Sequence, residues 1–332
     1  MTSRKWSSLV GGLVGVVGLG FVVRLMWQQR DDLASTLHRA EPGWLVLALC
    51  VGVAGMSVIG WCWMLLVRVL GDDIGLVSAE RGYFVGQLGK YVPGGLWAVL
   101  GRGEWARREG VAGAVAYSST MLSMGTAYVA GSLAAGVTMV VARPPGEVGW
   151  LTVAVVALGP VGLLALHPAI FGRVTGLARR VSGRELAIEV PSWGASVGVV
   201  VRQLAAWVGI GTATWLVGVA IGADVSWPAV LVATCVAWVA GFLFLPVPGG
   251  IGIREAAFVA VLGGSPVAAT IALAARLLFI VVDVVGASGA SWLQAAARRR
   301  NPGDAGGGTT QSGAPADSTS GGAAASADRR EP

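Results

Sequence analysis

The sequence predicts an all-α, polytopic transmembrane helix bundle of about eight crossings, carrying two Pro-Gly-Gly broken or re-entrant segments in a pseudo-repeat. Three observations carry that expectation. Of the 332 residues, 55% are strongly apolar and only 13% are charged, where a soluble domain carries about 25% charged residues. The apolar residues gather into uncharged runs of membrane-spanning length, more than one soluble core could bury. The tetrapeptide Val-Pro-Gly-Gly occurs twice, at Val92–Gly95 and at Val247–Gly250. Soluble-enzyme, disordered and disulfide-scaffold classes fall with the composition.

Taken in order, the first apolar run is Ser7–Val23, which follows Arg4 and Lys5. It lacks a small-x-small cleavage site and continues into Arg24-Leu25-Met26-Trp27, so it predicts an uncleaved span. Gly43–Val67 is free of charge and predicts the second span. Val111–Ala142 predicts one long span and Val148–Leu166 another. Pro191–Ala223 is interrupted only by Arg202, and Val225–Leu245 follows it. Pro266–Leu293 holds two charges, Arg276 and Asp283. Residues 1–297 form the membrane domain on this reading. Residues 298–332 form a basic stub and a Gly/Ala/Ser-rich tail, a composition that cannot bury enough to order itself.

Charge placement sets the expected sidedness. Arg4-Lys5, the 68–108 region (Arg68, Arg81, Lys90, Arg102, Arg107, Arg108) and the 173–184 region (Arg173, Arg179, Arg180, Arg184) are basic. The 143–147 and 224 connections are nearly bare of positive charge, which predicts a cytosolic N-terminus; the 24–41 connection runs weakly against the rule, with Arg24, Arg30 and Arg39 offset by Asp31, Asp32 and Glu41. Seven crossings would expel Arg298-Arg299-Arg300. A short crossing at about Ile251–Leu262 restores the rule, so eight crossings with both termini cytosolic are expected in the cell membrane. Ile170, Val174, Leu177 and Val181, with arginines between them, read as an interfacial amphipathic helix. The net charge of +6 reports loops facing anionic lipid; no nucleic-acid binding is expected. Cys50, Cys62 and Cys235 have no ligand-like spacing, and His38 and His167 stand alone, so no metal or cofactor is expected.

The two breaks are the candidate site. Matching Gly/Pro interruptions in two halves of a membrane chain point to a binding site at their junction. Pro93 and Pro248 push the residue before them away from helix. Gly94, Gly95, Gly249 and Gly250, with Gly252 after them, allow tight turns and close approach by a ligand. A helix beginning after such a turn aims unpaired N–H groups at an anion. Lys90 precedes the first break and Arg102 follows it, while Arg254 and Glu255 follow the second. Charge at membrane depth costs about 2.5–3.5 kcal/mol per ion on insertion scales, so it marks function or a fixed pair. Arg254 offers a planar fork to phosphate oxygens. Glu255 either holds Arg254 or accepts the cationic part of a headgroup. Arg276 and Asp283 share a face of the last span, as substrate contacts or as a pair locking helices. Arg202 beside Gln203 reads as snorkelling to the interface. The tryptophans read as belt anchors, with Trp97 the one to watch.

At these residues the chain resembles the lysylphosphatidylglycerol synthase transmembrane-region family, also called the flippase-like domain family. The resemblance lies in Gly89-Lys90-Tyr91-Val92-Pro93-Gly94-Gly95 and in Pro248-Gly249-Gly250-Ile251-Gly252-Ile253-Arg254-Glu255. Arg102, with Arg107-Arg108-Glu109-Gly110-Val111, matches the stretch that follows the first break, and Arg276 with Asp283 resembles a late Arg…Asp pair. Many relatives carry Gly-Glu after the first Pro-Gly, where Leu96-Trp97-Ala98 stands here.

The resemblance implies a lipid transporter that moves a phosphate-bearing lipid between leaflets, either an aminoacylated phospholipid or a polyprenyl-phosphate-linked sugar. Membrane lipids with anionic headgroups are the expected partners. The alternative is a membrane partner, or an intramembrane component, of a separately encoded glycosyltransferase or synthase in a lipid-modifying pathway. Enzymatic activity is not expected, because the only long polar segment is the tail. Glu255 and Asp283 would be the acids available to an intramembrane enzyme.

Overall fold

The computed structural model describes residues 40–91, 97–144, 148–170, 172–173, 191–243, 250 and 252–300. Among these the secondary structure is helical. Nine α-helices follow in order: α1 (Pro42–Val69), α2 (Leu76–Leu88), α3 (Trp97–Arg108), α4 (Gly113–Ala142), α5 (Trp150–Ala165), α6 (Trp193–Ala220), α7 (Trp227–Leu243), α8 (Ile253–Val261) and α9 (Pro266–Arg300). A 3-10 turn, Gly89–Tyr91, extends α2. Four of the expected readings fall outside the described residues: the span Ser7–Val23, the break residues Pro93, Gly94, Gly95, Pro248 and Gly249, the amphipathic stretch beyond Ile170, and the tail.

Among the described residues, four helices are long and apolar enough to cross a membrane, namely α1, α4, α6 and the Pro266–Ala297 part of α9. Two shorter apolar helices, α5 and α7, accompany them. The single long span expected at Val111–Ala142 is one helix. Pro42 opens α1 at a position where its missing N–H costs nothing. Gly71, at φ 91°, closes it, with Asp72 N–H reaching back to the Val67 carbonyl at 3.2 Å.

Each break lies between two helices that fold into a hairpin. The open end of the α2–α3 hairpin is tied by the Ser78 hydroxyl donating to Glu109 (2.5 Å) and by the Trp105 indole donating to the Ser78 carbonyl (3.0 Å). The chain therefore leaves this hairpin on the face where it entered. In the second hairpin α8 packs back along α7, with Ala257 and Phe258 against Val230, Ala233 and Ala237. Its nine residues rise only about 13 Å, well short of about 30 Å of hydrocarbon. The chain nevertheless returns to the face it left, since Gly218 near the end of α6 lies against both Val225 and Ile271. The two hairpins thus open on opposite faces. α9 runs between those faces, from Ile271 to Gln294, whose side-chain oxygen accepts from Arg81 (2.6 Å) at the open end of the first hairpin.

Close approach between long helices rests on small residues. A Cβ on Gly55 of α1 would lie 3.1 Å from the Ala206 carbonyl oxygen and 3.2 Å from the Ile210 nitrogen of α6. Those atoms are backbone and cannot rotate away, so only Gly lets α1 and α6 meet there. Gly55→Leu should lower thermal stability in detergent by about 1–3 kcal/mol or more through overpacking. Gly43→Leu, where nothing lies within 4 Å, should leave the melting curve unchanged.

Candidate functional site

Lys90, Arg102, Gly250 and Arg254, two residues from each hairpin, line one cavity of about 130 Å³. Residues that flank the two breaks, separate in sequence, therefore share one cavity. Tyr83, Gln87, Ser123, Tyr128, Trp207 and Trp238 supply most of the remaining polar and aromatic wall. Lys90 Nζ sits 5.6 Å from the Trp238 ring centre, so the tip of the first hairpin touches a side chain of the second. A narrower cleft shares Trp238 and Arg254 and extends to Glu255 and Arg276.

The chain geometry at the breaks explains how these side chains are aimed. A Cβ on Gly89 would lie 3.1 Å from the Ala98 nitrogen, so the 3-10 turn can press against the start of α3 only with glycine there. Gly250 and Gly252 adopt φ of 66° and 81°, a left-handed region that favours glycine. Gly241 on α7 faces Gly250, and the aliphatic stem of Arg254 fills the slot between them. The Arg254 guanidinium then lies 3.8 Å from the centre of the Trp238 ring, a cation–π contact.

Each acidic candidate has a different partner from the one its sequence neighbours suggested. Glu255 does not hold Arg254. One carboxylate oxygen accepts from the Gly252 N–H at 2.7 Å, capping α8, and the other pairs with Arg276 of α9. The anion site expected at the start of α8 is thus filled by the protein's own carboxylate. Arg276 and Asp283 do not pair with each other either. Asp283, with no exposed side-chain surface, contacts Lys90 Nζ at 2.7 Å and accepts from the Tyr91 hydroxyl at 2.7 Å. α9 therefore reaches the second hairpin through Arg276 and the first through Asp283.

Arg102 differs from the other cations. It is 2% exposed, its Nε and Nη1 lack hydrogen-bond partners among the described residues, and its guanidinium faces the rings of Tyr83 (4.8 Å) and Trp63 (5.4 Å). Arg102 and Lys90, grouped in sequence with the basic 68–108 region as well as with the first break, lie inside the bundle and do not contribute to that region's charged face. Arg68, Arg81, Arg107 and Arg108 still mark that face as basic. Arg202 is exposed and donates to its own helix at the Gly198 carbonyl (2.7 Å), whereas Gln203 is fully buried with neither amide atom bonded.

Sequence reasoning passed over Trp238, Tyr128 and Gly241, and gave Tyr91 no role beyond its place in the first motif. Trp150 and Trp292 are largely exposed, as belt residues would be, but Trp63 and Trp207 are fully buried. The available signal for Trp238 was its place in an uncharged run one α-helical turn before Gly241.

Removing one partner of a buried ion pair leaves an uncompensated charge. Asp283→Asn should therefore destabilise the protein by about 3–5 kcal/mol, read as denaturant or thermal unfolding in one detergent. Asp73→Asn, which breaks the exposed Arg68–Asp73 contact, should cost about 0–1 kcal/mol.

No curated protein matches the chain. The family model described as the lysylphosphatidylglycerol synthase TM region matches residues 8–289, a stretch that takes in both hairpins, the cavity, Arg276 and Asp283. On that match the chain is a membrane-embedded member of the lysylphosphatidylglycerol synthase TM region family.

Proposed function

We propose that this protein moves a phosphate-bearing lipid between leaflets of the cell membrane, holding the headgroup in the cavity between the hairpin tips. One observation carries the reading. Arg102 is a buried cation with unpartnered donors beside a cavity that also receives Lys90 and Arg254. Ions at membrane depth are costly unless paired, and they mark substrate pathways. A phosphate oxygen matches a guanidinium fork. The aromatic wall of Tyr128, Trp207 and Trp238 suits the apolar base of a lipid, and hairpins from opposite faces suit a site reached from either leaflet.

The same reading sets topology. With the Arg68, Arg81, Arg107 and Arg108 face cytosolic, Gln294 is at the cytosolic end of α9, and both termini are cytosolic. The two arms of the second hairpin, α7 and α8, replace two of the eight crossings without changing that parity.

A reporter fused after Arg300 should be active only in its cytosol-sensitive form; activity outside would remove this topology. Translocation should be measured in vesicles holding equal amounts of folded protein. Arg102→Ala and Arg254→Ala should each reduce the rate by at least about tenfold, the scale of one lost charge-assisted hydrogen bond. Arg254→Lys should fall between Arg254→Ala and wild type, because it keeps the charge and loses the fork. Wild-type rates for both alanine variants would take the cavity out of transport.

A further inference from the structure

The charges around the cavity do not balance, and the imbalance identifies a ligand charge. The hairpins and α9 bring four cations to this region, Lys90, Arg102, Arg254 and Arg276, against two carboxylates, Glu255 and Asp283. Both carboxylates are engaged: Asp283 by Lys90 and Tyr91, Glu255 by Arg276 and the Gly252 N–H. Among the described residues that line the larger cavity there is no Asp or Glu. Glu80, the acidic residue of α2, lies against Gly60 of α1 and is not part of that lining. Two guanidinium groups are left, Arg102 from the first hairpin and Arg254 from the second, each set against aromatic rings.

We propose that the cavity recognises a dianionic phosphate, a phosphomonoester or diphosphate group, which Arg102 and Arg254 clamp from opposite hairpins. This rests on the reading that a phosphate-bearing lipid enters the cavity, and it narrows that lipid. A phosphodiester carries one negative charge and leaves one guanidinium uncompensated, whereas a phosphomonoester carries about −1.5 to −2 at neutral pH. An aminoacylated headgroup adds a cation, for which this cavity holds no free carboxylate. A polyprenyl-type carrier ending in mono- or diphosphate fits the charge; an aminoacylated phosphodiester does not. The ligand would also bridge the hairpins, since each contributes one arginine.

The test uses the full chain in phosphatidylcholine nanodiscs and measures equilibrium binding of four probes: a polyprenyl monophosphate, a polyprenyl diphosphate, phosphatidylglycerol and inorganic pyrophosphate. The two polyprenyl phosphates should bind at least about tenfold tighter than phosphatidylglycerol, the difference expected for one further charge-assisted contact. Arg102→Gln and Arg254→Gln should each abolish that preference, and Arg102→Lys should recover part of it, with melting curves showing all variants folded. Phosphatidylglycerol binding as tightly as the polyprenyl phosphates, and weakened by the same variants, would overturn the dianion assignment and leave the phosphate-lipid reading standing. Failure of all three lipids to bind would overturn both. Pyrophosphate binding as tightly as the lipids would support the dianion clamp and assign it to a soluble ion, which removes the transport reading alone.

Discussion

Asp283 is the contact on which the arrangement of the broken segments depends. It is a carboxylate with no exposed side-chain surface near the middle of a long apolar helix, and a bare charge there would be intolerable. Lys90 and the Tyr91 hydroxyl both meet its Oδ2, and both belong to the turn that begins the first break; its Oδ1 is buried without a hydrogen-bond partner among the described residues. The pair works in both directions, because Lys90 would be equally costly without Asp283. Seven positions earlier on α9, Arg276 does the same for the second hairpin through Glu255. One continuous helix thereby fixes two discontinuous ones. The close contact of α9 with α2 at Gly286, where a Cβ would meet the Phe84 ring at 2.3 Å, lets the helix come near enough to do so.

With those two pairs closed, the remaining cations acquire meaning. Arg102 and Arg254 are held by packing and aromatic faces rather than by carboxylates. Their hairpins open on opposite faces, so the cavity lies where two inverted half-elements meet, the geometry associated with substrate sites in transporters built from inverted repeats. Irregular backbone in a membrane bundle must be buried in protein or line a cavity, and Gly250, beside the second break, lines this one.

Much of this was legible in the sequence, for a physical reason. Long uncharged runs have few possible fates, so α1, α4, α6 and α9 were plain, and isolated charges beside Pro-Gly-Gly stood out because membrane burial makes them expensive. What could not be read was pairing. Arg254 adjoins Glu255, and Arg276 shares a face with Asp283, so one-dimensional spacing joined each to its neighbour. The folded chain instead joins Glu255 to Arg276 and Asp283 to Lys90, across separations that only packing sets. Trp238 was hidden for a related reason: a tryptophan in an apolar run reads the same whether it anchors at an interface or receives a guanidinium. Arg102 was read both with the basic 68–108 region and as a candidate beside the first break, because its helix is short and basic at its end and the spacing alone does not show which way its side chain points.

The position of the phosphorus atom in an experimental density map of the lipid-loaded protein bears most directly on the claim that both hairpins build one headgroup site. Phosphate density within about 3 Å hydrogen-bond reach of both Arg102 and Arg254, with Lys90 still on Asp283, is the expected result. A headgroup held outside the cavity, or held only after Asp283 releases Lys90, would contradict it.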